Sequence, residues 1–203
     1  MSLIENTIKI AGILNRLNLR YALVGGLACI LMGVRRMTED ADFIVEAKSI
    51  DDAKRLFIEL EKGGFNISLN EVIGAFYNSG HFTIIVDGFR LDFKFAKSEL
   101  EFETLRRAVD VKIEKEKIKI AQLEENIAAK IVVLSSIKDL EDALWLMIHH
   151  GDKIDWNRLK LLLGGEPKFI VKNILFEIEK EFKGEEAVIK KLEEIRKLLN
   201  SFK

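Results

Sequence analysis

The stretch HFTIIVDGFRLDFKF, residues 81–95, constrains the fold more than any other part of the chain. Two runs flank Asp87-Gly88, a pair suited to the positive-φ positions of a type I′ turn, so the spacing predicts a β-hairpin. In the second arm Phe89, Leu91, Phe93 and Phe95 alternate with Arg90, Asp92 and Lys94. A period of two puts the apolar set on one sheet face and Asp92 on the other. The phenylalanines therefore read as core rather than as a platform for stacked bases.

A second carboxylate pattern precedes the hairpin. In RRMTEDADFIVE, residues 35–46, Asp40 and Asp42 lie two apart on the way into an apolar run. An unpaired buried carboxylate is costly, yet in a strand these two point the same way. If their strand neighbours that of Asp92, three carboxylates meet at one spot. Hard oxygen donors without His or Cys suit Mg²⁺ or Mn²⁺, and two such ions can clamp both oxygens of a phosphoryl transfer. Gly25 and Gly26 follow a short apolar strand, where they let backbone N–H groups approach phosphates at a helix start. Arg35 or Arg36 is a candidate for a triphosphate and Thr38 for orienting the loop. Each part also has a plainer reading. Asp40 ends a turn, Asp42 pairs with Arg90 or Lys94, Asp92 lies on a solvated strand face, and Gly-Gly is an ordinary turn. The order of the parts favours the metal and phosphate reading over their sum.

Around these motifs the chain divides in two. Residues 3–17 place Ile4, Ile8, Ala11, Leu14 and Leu17 at helical spacing. RYALVGG is read as a strand, LACILMG as a helix stopping at Gly33, DADFIVE as a strand, and SIDDAKRLFIELEKGG as a helix capped by Ser49 or Asp51. NEVIGAFYNSG reads as a loop. Beyond residue 99 the pattern is mainly helical, interrupted by the strand-like VKIEKEKIKIAQ and continuing through LEENIAAKIVVLSS, SIKDLEDALWLMIHH, DWNRLKLLLGGE and a charged tail from Pro167 to Lys203. The predicted organisation is an α+β protein, with an α/β half at 1–97 and a helical region at 98–203.

Composition narrows the function classes. The 203 residues are 48% apolar and 32% charged with a net charge of −1, which argues against a wholesale polyanion binder. The lone Cys29 leaves no disulfide framework and points to a reducing cytoplasm. The charged N-terminal residues do not fit a signal peptide, and no apolar run is long enough for a bilayer. A single proline with abundant Lys, Glu and Ile suggests a thermophilic protein. His149-His150 suit a helix C-terminus better than a shared metal; His81 opens the hairpin near the proposed site. The tail KKLEEIRKLLNSFK reads as a solvated face or as an oligomer or partner helix.

The segment YALVGGLACILMGVRRMTEDADFIVE resembles the first motif of the polymerase-beta-like nucleotidyltransferase superfamily. The matching positions are Gly25, Gly26, Arg36, Thr38, Asp40 and Asp42, with Asp92 matching a third carboxylate on a later strand. The nearest branch by motif is the prokaryotic one that includes abortive-infection toxins; its later lysine and Lys/Arg-Asp-x-x-Asp segment correspond to Lys130, Lys138, Asp139 and Asp142. The likeness covers residues 20–150 and departs from many active members in having Gly-Gly for Gly-Ser, with no hydroxyl at that turn, and in having Ala41 where a bulkier residue is usual. It implies a small mixed, twisted sheet flanked by helices. It also implies transfer of a nucleoside monophosphate from an NTP, with Asp40 and Asp42 on the metals and Asp92 completing the second site or taking the acceptor proton. Lys130 is then either a triphosphate contact or a surface lysine, and Asp139 either orients it or caps the helix after Ser136.

Three functions compete at this point. One is an NTP-dependent nucleotidyltransferase, in the toxin reading acting on tRNA or a protein beside an antitoxin partner. Another is a catalytically inactive nucleotide-binding regulator or antitoxin-like module of the same fold. The third is a two-metal nuclease. The acceptor, whether antibiotic, protein, tRNA end or metabolite, has no motif of its own.

Overall fold

The computed structural model describes residues 1–78 and 80–201. Ser79, in the stretch read as a loop, and the last two residues of the tail lie outside the described residues. The chain forms two compact units, Met1–Gln122 and Leu123–Lys203. The first is built on a six-stranded sheet of order β3-β4-β2-β1-β6-β5. Its strands are β1 (Tyr21–Val24), β2 (Asp40–Val45), β3 (His81–Val86), β4 (Phe89–Phe95), β5 (Val109–Ile113) and β6 (Glu116–Ile120). β2 pairs antiparallel with β1 and parallel with β4, and β6 runs parallel to β1, so the sheet is mixed. The protein is α+β, as the sequence predicts.

The hairpin forms because Asp87 and Gly88 both adopt positive φ, 52° and 81°, the backbone a type I′ turn demands. Its apolar alternates, with those of β1 and β2, bury one sheet face. Phe43 stacks on Phe93 at 5.1 Å and Phe82 on Phe93 at 4.7 Å. Against this face lie α1 (Leu3–Arg16), α3 (Ile50–Lys62) and α4 (Leu69–Asn78), which contribute Ile10, Leu14, Leu56, Leu60 and Val72. Burying each phenylalanine stabilises by roughly 2–3 kcal/mol. The opposite face is covered only in part, by α5 (Glu99–Arg107), whose Leu105 packs with Ala22 and Ala96. The polar alternates of β2 and β4 remain on that second face.

Two expectations change. The segment read as a loop, NEVIGAFYNSG, is largely helix α4. Val72 and Ala75 bury one side of it, and Phe76 meets the edge of Phe95 at 5.7 Å. The sheet also takes β5 and β6 from beyond residue 97, with Leu23 of β1 opposite Ile120 of β6. The units divide at 122/123, further along than the 97/98 boundary read from the onset of the helical pattern.

The second unit contains α6 (Leu123–Ala128), a π-helical turn (Ala129–Leu134), α7 (Ile137–His149), α8 (Trp156–Leu163), α9 (Pro167–Glu181) and α10 (Glu186–Ser201). Ser136 and Asp155 cap α7 and α8 by accepting from Asp139 N and Arg158 N, and Gly164 ends α8 at φ 72°. Leu140, Leu144, Met147, Leu159, Leu175 and Ile195 are fully or almost fully buried. Among the described residues no helix is long and apolar enough to cross a membrane.

The start of α5 is fixed by a capping box in which Glu101 accepts from Ser98 N at 2.8 Å and from Lys97 N at 2.9 Å. Lys94 of β4 adds an ion pair to the same carboxylate at 2.5 Å. Burial raises the Glu101 pKa, but the hydrogen bonds from Lys94 and from the backbone of Ser98 and Lys97 outweigh it and pull the carboxyl down to about 2. A depressed carboxyl stabilises the fold above its ordinary range, and that stabilisation fades as pH falls from 4.5 toward 2. Glu101→Gln should therefore cost about 1–2 kcal/mol at neutral pH. The difference from wild type should shrink in urea titrations taken toward pH 2; a gap that does not change with pH would contradict it.

Candidate functional site

The site is organised by strand register. Val24, the last residue of β1, pairs with Asp42 of β2, so the Gly25-Gly26 turn begins directly beside that carboxylate. Gly25 has φ +69°, and a Cβ built on it would lie 2.2 Å from Asp42 Oδ2. A side chain there would have to displace the Asp42 carboxylate, and the backbone conformation disfavours one independently. The two glycines open α2 (Gly25–Leu31), whose Leu27 and Ala28 anchor in the core. The loop to β2 carries Arg36, which donates from Nη1 to the Met37 carbonyl at 3.1 Å, and Thr38, whose Oγ1 accepts from Asp40 N at 3.4 Å. Asp40 and Asp42 are half-buried on the face that α5 leaves partly open.

On the other side of β2, Asp92 of β4 stands opposite Asp42, and Arg90 stands opposite Asp40. The next strand places Thr83 across from Asp92. Thr83 Oγ1 donates a hydrogen bond to Asp92 Oδ1, and Arg90 Nη2 lies 3.2 Å from Asp92 Oδ2. His81 is exposed and paired with Lys94, one step along the same face. Arg90 pairs with Asp92, and Lys94 pairs with Glu101. The all-oxygen donor set, with Asp42 and Asp92 in register, fits a hard divalent cation in kind. As the side chains stand, no group of three His, Cys, Asp or Glu among the described residues is gathered to hold an ion. Arg90 supplies the positive charge beside Asp92 instead.

In the helical unit Lys130 is buried, with 2% of its side chain exposed, which removes the surface-lysine reading. Its Nζ lies 2.7 Å from Asp139 Oδ1 and 2.9 Å from Asp142 Oδ2. Ser136 is the residue that caps α7, its Oγ accepting from the backbone N–H of Asp139 at 3.2 Å. Burial raises the Asp139 carboxyl, but hydrogen bonds from Lys130 and Ser136 prevail and hold it below its ordinary value. The backbone around Lys130 is π-helical and ends in Ser135 at φ 53°. Lys138 is exposed. His149 stacks on Trp145 at 4.0 Å and its Nδ1 lies 2.9 Å from the Trp145 carbonyl, at the end of α7.

No family model matches the sequence, and no curated protein matches it. Solved structures do. The chain is similar to the antibiotic-resistance factor ANT(2'')-Ia in solution, at TM-score 0.54 and 15% identity, over 89% of this chain and 99% of that one. It is also similar to an antigenic nucleotidyltransferase-like protein from Paracoccidioides brasiliensis, at TM-score 0.50 and 16% identity, over 94% of both chains. A crystal structure of ANT(2")-Ia in complex with adenylyl-2"-tobramycin matches at TM-score 0.51 and 17% identity, over 79% of this chain and 94% of that one. The chain has the nucleotidyltransferase fold.

Within this nucleotidyltransferase fold, the first unit brings together Gly25, Gly26, Arg36, Thr38, Asp40, Asp42 and Asp92 by two strand pairings and one turn. Lys130 and Asp139 form their own buried cluster in the helical unit. Sequence reasoning missed Thr83 and the role of Arg90. Thr83 was recoverable: counting outward from a two-residue turn at Asp87-Gly88 puts it opposite Asp92. Arg90, two residues before Asp92 on the same strand face, enters the sequence reading only as an alternative partner, with Lys94, for Asp42.

Two stability measurements follow from this geometry. Gly25→Ala should destabilise by about 1–3 kcal/mol, from positive φ and the clash with Asp42; an unchanged urea midpoint would show that the turn adapts. Lys130→Ala, which leaves two carboxylates buried beside each other without their cation, should cost about 3–5 kcal/mol. A loss typical of a surface lysine, under about 0.5 kcal/mol, would contradict the buried cluster.

Proposed function

We propose that this chain transfers a nucleoside monophosphate from an NTP to an acceptor hydroxyl or phosphate, with pyrophosphate leaving. The single observation that carries the reading is the in-register placement of Asp42 and Asp92, with Asp40 two residues along, beside a glycine turn. Asp40, Asp42 and Asp92 are the residues that would hold Mg²⁺ or Mn²⁺. When bound, the metal would neutralise triphosphate charge and stabilise the leaving pyrophosphate. Gly25 and Gly26 let the phosphates approach the backbone, and Arg36 and Thr38 hold them. Asp92 accepts the acceptor proton as the acceptor oxygen bonds to the α-phosphorus and the α–β bridge breaks. Thr83 and Arg90 orient that carboxylate. Lys130, steadied by Asp139, is assigned to the nucleotide-binding set on the family resemblance alone.

The acceptor classes to test are tRNA, protein and small molecules. The complex of ANT(2")-Ia with adenylyl-2"-tobramycin makes a small-molecule alcohol a natural member of that panel. A cytoplasmic setting suits the single buried Cys29. The toxin role with an antitoxin partner belongs to this same reading. The engagement of Asp92 by Arg90 and Thr83 favours a second reading, a nucleotide-binding regulator without catalysis.

The deciding experiment supplies each α-labelled NTP with Mg²⁺ and, separately, total RNA, protein and small-molecule alcohols. Wild type should label at least one fraction, and Asp42→Asn should reduce labelling by about 100-fold or more. Equal labelling by the variant would end the catalytic reading. Mg²⁺-dependent NTP binding with no transfer to any fraction would support the regulator.

A further inference from the structure

A second set of charged side chains gathers at the far end of the strands that carry Asp42. There Glu46 N donates to the Arg20 carbonyl at 2.8 Å, just beyond the β1–β2 pair of Tyr21 with Val45. The pair at the other end is Val24 with Asp42, four residue steps or about 13 Å away along the strand. The end of α1, the start of β1, the residues after β2 and the first turns of α3 border a cavity of about 430 Å³. Small-molecule sites usually measure about 300–1,000 Å³. Arg20, Glu46, Lys48, Asp52 and Arg55 line this one. Its two carboxylates are sheltered, the Glu46 side chain 14% and the Asp52 side chain 21% exposed. Glu46 Oε2 lies 3.3 Å from Arg20 Nε, and Asp52 Oδ1 lies 3.5 Å from Arg55 Nη1. The other oxygen of Asp52 accepts from Lys48 N at 3.0 Å. The cations stand further out: the Arg20 and Arg55 side chains are each 56% exposed, and Lys48 is exposed.

We infer that this cavity binds a compact small molecule rich in oxyanion oxygens, clamped between Arg20 and Arg55 with Lys48 at its edge. Three cations against two carboxylates leave one positive charge over. A cationic ligand would have to displace a guanidinium from a sheltered carboxylate, whereas an anion meets the cations where they already stand. Each guanidinium has five N–H donors. The contacts described use one nitrogen of Arg20 and, with the Leu17 carbonyl at 3.5 Å from Nη2, two of Arg55. Donors therefore remain on both, and a guanidinium fork matches a pair of phosphoryl or carboxylate oxygens. A lining this charged does not suit an apolar ligand, and a lone halide would engage neither fork in full. The cavity lies at the opposite end of the ladder from the glycine turn, so the inference is independent of the nucleotide reading.

The test titrates inorganic phosphate, citrate and AMP separately into the full chain, at fixed ionic strength and without divalent metal. The side-chain Nε–H signals of Arg20 and Arg55 are followed by NMR. At least one probe should shift both signals and saturate with a Kd below about 10 mM. Preference among the three tells a phosphoryl ligand from a polycarboxylate, and saturable binding of either kind upholds the site. Arg20→Gln and Arg55→Gln, read at the remaining arginine, should each weaken binding at least about tenfold. Both side chains are more than half exposed, so these variants should melt like wild type. Asp42→Asn should leave the affinity within about twofold; loss of binding in that variant would move the probe to the glycine turn and overturn the inference. Shifts that grow linearly with every probe, or affinities unchanged in both arginine variants, overturn it as well. Failure here leaves the nucleotide reading standing.

Discussion

The parallel pairing of β2 with β4 is the constraint on which the rest of the structure depends. It sets Phe43 against Phe93 on one face and Asp42 against Asp92 on the other. Sliding the pairing by one residue would turn every side chain to the wrong face. Phenylalanines would reach water and carboxylates would enter the core, each at a cost of several kcal/mol. The apolar packing therefore determines the placement of the polar pair. Carboxylates that repel one another are held adjacent by a core that has no direct interest in them.

Repulsion on the polar face is managed locally. Arg90 lies opposite Asp40 and pairs with Asp92, while Thr83 donates from the strand beyond. The helical unit has the same kind of arrangement, enclosing one ammonium between Asp139 and Asp142. The two differ in exposure. The Arg90 side chain is 54% exposed, whereas that of Lys130 is 2% exposed. Salt and solvent reach the first cation readily and the second hardly at all. The first counter-charge is open to exchange with ions in solvent, and the second is enclosed.

Much of this was legible in the residues because it rests on local rules. The hairpin, its turn and the face of Asp92 follow from alternation and from Asp87-Gly88. The caps at Ser49 and Ser136 and the stop near Gly164 are local chemistry of the same kind. Helix α4 was read as a loop. Yet Ser68 and Glu71 stand at capping-box spacing, and Ser68 N does donate to Glu71 Oε2 at 3.3 Å. What local rules could not reach was long range. No periodicity reveals that β6 lies beside β1, or that Lys130 is enclosed by Asp139 and Asp142. Those facts depend on which segments meet, and the chain states that only through packing.

Strand β1 has four residues and lies inside the sheet, with β2 on one side and β6 on the other. Its second neighbour is translated long after its first, and Ala121 N closes the join by donating to the Leu23 carbonyl at 3.0 Å. A growing chain adds about 5–20 residues per second, so the flank of β1 waits on the order of ten seconds for its partner. Throughout that interval a nascent chain would present an apolar, unpaired edge. The brevity of β1 limits the number of backbone groups left open to the wrong strand. Its shortness is thus a safeguard during synthesis as well as a feature of the finished sheet.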